Sequence, residues 1–182
     1  MKKKILKVMV TGMLVFTSLW GSELVLLDMS GSMGYGNRGD DAKIMVQKLL
    51  NQGIRVLGYN NKIREVKSVD DIKYESGSDL GQALEYIYLS ERDVKYINLI
   101  FDGDVGDKLK TLRFGTFLKN HNVSICSIGV DMTTMPAQVT QISKKALITT
   151  DIMKARKMCM GIRKTALNEI IEEIDEDQFN LF

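Results

Sequence analysis

One histidine, one proline and two cysteines are all that this 182-residue chain holds of three informative residue types, and each scarcity removes a class of function. A Ser-His-Asp hydrolase would have to use His121, which lies near a predicted helix end with nothing beside it to complete a triad. Cys126 and Cys159 are too few for a disulfide framework, and there is neither a CxxC pair nor a cysteine-histidine cluster to hold zinc. Cys126 falls in a predicted central strand, so the expectation for it is an ordinary buried thiol. Pairing with Cys159 is the alternative if the fold brings the two together in an oxidising compartment. A single proline and no low-complexity run argue against disorder. No phosphate-cradling P-loop, internal repeat or set of alternating ten-residue strands is present, which removes P-loop nucleotide hydrolysis, solenoids and outer-membrane barrels, although the chain ends on Phe182. The length suits one domain with a full core.

Charge is unevenly spread. Residues 1–21 hold Lys2, Lys3, Lys4 and Lys7 and no acid, and Ile5 to Trp20 is largely apolar before Gly21 and Ser22. This is the layout of a bacterial secretory signal, with removal expected near Gly21. An uncleaved signal anchor is the rival, since Lys7 interrupts the apolar run and Leu19-Trp20 is bulky for a cleavage site. Either way residues 22–182 form a single domain outside the cytoplasm, periplasmic or secreted, or anchored to the inner membrane. The whole chain carries +2, so without those four lysines the remainder carries −2. Such a remainder has no electrostatic case for nucleic acid, and any membrane contact would run through the signal segment alone.

What is present is organised around Glu23 to Gly34, ELVLLDMSGSMG. Leu24 to Leu27 is too short for a helix and reads as a fully buried strand. It stops at Asp28, followed at two-residue intervals by Ser30 and Ser32, with Gly31 and Gly34 expected to let the backbone turn the three oxygens inward. Hard oxygen donors at the end of a buried strand suit a small divalent cation, Mg2+ above all. Alternatively, the same residues cap the next helix. Met29 and Met33 are expected to pack beneath the loop, or else to offer a partner adaptable contact.

Further along, Asp40-Asp41 begins a helix whose apolar side is read as Ile44, Met45, Leu49 and Leu50. Arg38-Gly39-Asp40 spells an integrin-recognised tripeptide, but its simpler role is to begin this helix. Ile54 to Gly58 and Ile63 to Val66 read as a strand pair with the second at a sheet edge. Ser78 or Asp79 can cap a helix to about Leu89 with Leu80, Ala83, Leu84 and Ile87 inward. Tyr96 to Phe101 is another buried strand, and it too ends on a carboxylate, Asp102, with Gly103 and Asp104 behind it. A helix over 108–120, a strand Val123 to Val130, a helix over 136–145, a short strand Ala146 to Ile148 and helical periodicity from Asp151 to Ile174 complete the chain. Strands alternating with helices predict an α/β fold with a mainly parallel sheet covered on both faces. Ligands of such sheets bind beyond the strands' carboxyl ends where the strand order reverses. If the strands ending at Asp28 and Asp102 are neighbours there, the two carboxylates share a crevice that Ser78 can join.

Taken together, these segments resemble the von Willebrand factor type A (VWA) domain and its metal-ion-dependent adhesion site. The DxSxS signature is Asp28, Ser30 and Ser32. The family's threonine falls on Ser78, in SGSDLGQAL, which is similar to GGTDLGxAL, and the later aspartate is Asp102 of Asp102-Gly103. Ser127 to Val130, SIGV, is typical of the family's fifth strand. The likeness covers about Glu23 to Ile174. It implies a doubly wound, six-stranded, mainly parallel sheet with one antiparallel edge strand. It further implies a six-coordinate Mg2+ or Mn2+ held by Ser30, Ser32 and Ser78, with Asp28 and Asp102 contributing directly or through water. A partner protein's Asp or Glu would complete the shell.

The function expected is therefore non-enzymatic: an exported module for adhesion or envelope assembly that engages an acidic residue of its partner through the cation. Two alternatives remain. A Mg2+-dependent phosphohydrolase of the haloacid dehalogenase kind would start its site at Asp28, but Ser30 stands where that family's second Asp acts as the acid. A metal-free structural domain would let the loop oxygens satisfy one another.

Overall fold

A computed structural model describes residues 22–159. The expected export signal and the part of the expected helical periodicity beyond Cys159 lie outside them. Among the described residues no helix is long and apolar enough to cross a membrane.

The strands are β1 (Ser22–Asp28), β2 (Arg55–Tyr59), β3 (Ile63–Val66), β4 (Val94–Phe101), β5 (Ser124–Val130) and β6 (Lys145–Thr149). The helices are α1 (Arg38–Asn51), α2 (Leu80–Ser90), α3 (Lys108–Asn120) and α4 (Ala137–Ile142), followed by a helical segment over 152–159. One sheet runs in the order β3-β2-β1-β4-β5-β6. Every pairing is parallel except that of β2 with β3, so β3 is the antiparallel edge.

The apolar run of β1 is continuous because both of its faces are covered. Leu24 and Leu26 point into a layer with Leu80, Leu84 and Ile87 of α2 and Leu118 of α3. Val25 and Leu27 point into the opposite layer with Met45, Val46 and Leu49 of α1. All four β1 residues are fully buried, and each such side chain contributes ~1.5–3 kcal/mol relative to exposure. Burial of Leu80, Ala83, Leu84 and Ile87 matches the inner side read for α2. For α1 the stripe is turned by one position: Ala42, Met45, Val46 and Leu49 are buried and Ile44 is 53% exposed. The i, i+3, i+4, i+7 spacing from Ala42 runs through Val46 and bypasses Ile44.

The cysteine expectation is overturned. Cys126 and Cys159 form a disulfide with their Cα atoms 5.8 Å apart, inside the normal bridging range. Cys126 is on the face of β5 against which 152–159 packs, and the sequence separation of 33 gave no hint of that proximity. On the same segment Arg156 pairs with Glu23 of β1 at 3.1 Å, both side chains 7% exposed, while Asn98 Nδ2 donates to Glu23 at 2.7 Å.

Candidate metal centre at the carboxyl edge of the sheet

From β1 the chain fills one side of the sheet with β2 and β3, then returns to the other side with β4. The reversal lies between β1 and β4, which pair directly, with Leu27 opposite Ile100. Asp28 ends β1 and Asp102 follows β4, so the two carboxylates stand side by side at the switch point.

Each loop at this edge has a local cause. The β1 loop passes through a 3-10 turn, Gly31–Gly34, with Met29 and Met33 fully buried beneath it; neither is available to a partner. A Cβ on Gly58 would lie 2.2 Å from Met29 Cε, so the bare backbone of β2 makes room for that anchor. Gly31 and Gly34 do not serve as expected: the positive φ in this loop belongs to Gly36, and Gly34 instead makes room for Tyr74, which a Cβ there would meet at 3.0 Å. Asp79, not Ser78, caps α2 by accepting from Gln82 N–H at 2.9 Å, which leaves the Ser78 hydroxyl to the site. Gly106 has φ +66°, and a Cβ there would meet the Ser78 carbonyl oxygen at 2.3 Å. Only glycine lets the loop after β4 lie this close.

All five predicted residues come together, lining a cavity of about 270 Å³ with Asp104 beside them. Asp28 Oδ1 accepts the Ser30 backbone N–H at 2.7 Å. Ser78 Oγ lies 3.1 Å from both Asp28 Oδ2 and the Asp104 carbonyl oxygen, sharing one proton between them. Ser32 Oγ donates to Asp102 Oδ1 at 2.8 Å, so in the 3.0 Å contact between the serines Ser30 is the donor. Each hydroxyl thus gives its proton to a neighbouring oxygen; Ser32 also accepts from Ser30, and the remaining lone pairs are open to a cation.

Asp28 is 1% exposed, and its hydrogen bonds come from neutral groups. Burial, with a smaller push from Asp102 and against the pull of the Ser30 and Ser78 hydrogen bonds, raises its carboxyl to about 6. The Tyr59 hydroxyl is fully buried beside Asp28 and is pushed well above its ordinary range, first by burial and then by the charge of Asp28. A buried anion with no cation against it among the described residues fits a site built for a positive ion. Two carboxylates and three hydroxyls are a hard oxygen set, suited to Mg2+ or Mn2+. Among the described residues no three His, Cys, Asp or Glu side chains converge on a metal position, so a cation here would draw on the hydroxyls as well.

Three participants escaped the sequence reading. Arg38, taken only as the start of a helix, donates from Nη1 to Asp102 Oδ2 at 2.6 Å. Its Nε lies 3.5 Å from Asp131 Oδ2. Gly39 is buried, so the Arg38-Gly39-Asp40 tripeptide is the first turn of α1 and is not displayed as a loop. Asp131, directly after β5, and Asp104 were open to discovery by the strand-end rule that marked Asp28 and Asp102. No sequence signal marked Arg38.

The sequence matches no protein-family model, and no curated protein matches it. Among solved structures, proximal thread matrix protein 1 from the mussel byssus with a zinc-occupied MIDAS motif aligns with TM-score 0.63 and 16% identity over 80% of this chain. A second crystal form of that protein gives 0.64, also at 16% identity and over 80% of this chain. The manganese-loaded TRAP protein of Plasmodium vivax aligns with 0.54 and 17% identity, over 74% of this chain and 70% of that one. The fold is that of VWA-domain proteins. The chain spans about 45% of the length of the mussel proteins it matches.

Proposed function

We propose that this chain is a non-enzymatic, exported protein-binding module that uses a divalent cation, Mg2+ or Mn2+, to grip an Asp or Glu of its partner. The observation that carries the reading is the buried Asp28 carboxylate, which has no cationic partner among the described residues and is ringed by Ser30, Ser32, Ser78 and Asp102 at the switch point. Those five residues would hold the ion, and the ion would supply an electrophilic position for an outside carboxylate. Because three of the five donors are neutral hydroxyls, the protein leaves much of the positive charge uncancelled, which favours an anionic ligand. The zinc-occupied and manganese-loaded sites of the similar structures support a divalent cation here.

Two further observations favour the rest of the reading. The disulfide belongs with an oxidising compartment, periplasmic or secreted, or with a domain held outside the inner membrane by its signal segment. The position two residues after Asp28 holds Ser30, which cannot act as the phosphohydrolase acid.

The test is thermal unfolding of the purified chain in EDTA and across a Mg2+ and a Mn2+ series, beside Asp28→Ala. A cation that binds only the folded form adds about 2.7 kcal/mol at a hundred times its dissociation constant. A rising Tm for the parent and a flat one for the variant is the expected result. Flat responses from both at millimolar cation would reject the metal centre.

A further inference from the structure

We propose that Arg38 is a resident cation of the metal centre, setting how tightly the site holds a divalent ion; this rests on the function proposed above. Arg38 occupies the first position of α1, and its guanidinium reaches Asp102 Oδ2 at 2.6 Å and Asp131 Oδ2 at 3.5 Å. The Asp102 side chain is 1% exposed while that of Arg38 is 25% exposed, so the pair sits at the wall of the cavity with the carboxylate inside. Of the two carboxylates at the switch point, one is already paired and one is not. Asp102 spends Oδ2 on Arg38 and Oδ1 on the Ser32 hydroxyl. Asp28 has only neutral donors.

Two effects follow from that asymmetry. With no divalent ion bound, Arg38 keeps the two carboxylates from facing each other as bare like charges, so the site holds its shape. When an ion binds, Arg38 repels it and has already satisfied half of Asp102, so affinity is lower than five oxygen ligands would otherwise give. The same positive charge leaves the ion's field less cancelled for an incoming partner carboxylate. Arg38 is thus a positioning residue that exchanges cation affinity for a stable metal-free form.

Arg38→Gln removes the charge and keeps a polar side chain. Arg38→Lys keeps the charge and loses the planar fork. The probe is Mn2+ alone, titrated calorimetrically against parent and variants whose folding is checked by circular dichroism. In EDTA, Arg38→Gln is expected to melt below the parent. It should nevertheless bind Mn2+ about tenfold more tightly, equivalent to ~1.4 kcal/mol, with Arg38→Lys close to the parent. A merely structural arginine would lower the Tm and leave the affinity unchanged or weaker, and that result overturns the inference while the metal centre stands. Absence of binding in parent and variants alike would reject both the inference and the metal centre.

Discussion

Asp28 carries the central tension of this site. Its carboxylate accepts the Ser30 backbone N–H and the Ser78 hydroxyl in a place that excludes water, with no counter-charge against it among the described residues, and a buried charge without a counter-charge costs stability. Asparagine is nearly the same shape and can still accept from Ser30 N–H while carrying no charge. Asp28→Asn is therefore expected to match or exceed the parent's stability in EDTA, by about 1 kcal/mol, and to lose the cation response. Urea unfolding with and without Mn2+ measures both. A variant much less stable than the parent in EDTA would mean that Asp28 is held by its neighbours and needs no cation. Ser78 shows a complementary economy: because Asp79 takes over the capping of α2, the serine hydroxyl is released to bridge Asp28 and the loop after β4.

Among the elements, the segment over 152–159 has the most unusual attachment. Ile152 and Ala155 are buried in the layer that also holds Val25, Leu27 and Ile128, and the segment is fastened by the Cys126–Cys159 bridge and the buried Arg156–Glu23 pair. Closing a loop of this length restricts the unfolded chain by about 3–4 kcal/mol in the chain-entropy picture. Reduction, or replacing both cysteines by serine, is expected to remove about 2–4 kcal/mol. Hydrogen exchange should then show 152–159 losing protection ahead of the sheet. If exchange there stays as slow as in β1 after reduction, burial alone holds the segment and the bridge is incidental.

For the whole molecule the question is whether the two ends of the sheet communicate. Cys126 pairs in register with Asn98, four residues before Asp102, which places the bridge about 13 Å along the strand from the metal centre. Sites this far apart without shared partners act additively. Reduction is thus expected to lower Tm without changing the Mn2+ dissociation constant, both read from the same titration. A change in affinity on reduction would reveal that the last described segment is coupled to the cation site through the sheet.

The six strands and most of the candidate site were legible in the sequence because both depend on short-range patterns. A four-residue apolar run between turn signals has to be buried on both faces, and a carboxylate at its end has to lie at the carboxyl edge of a parallel sheet. DxSxS, the Ser78 segment and Asp102-Gly103 could therefore be assigned to one crevice once neighbouring strands were assumed, and the strand order bears that assumption out. Tertiary structure alone decided the contacts between residues far apart in the chain. Arg38 meets Asp102 across a separation of 64, Arg156 meets Glu23 across 133, and Cys126 meets Cys159 across 33. Local periodicity registers which face a side chain takes on its own element. It does not register which side chain of another element arrives there, because that depends on how the layers stack.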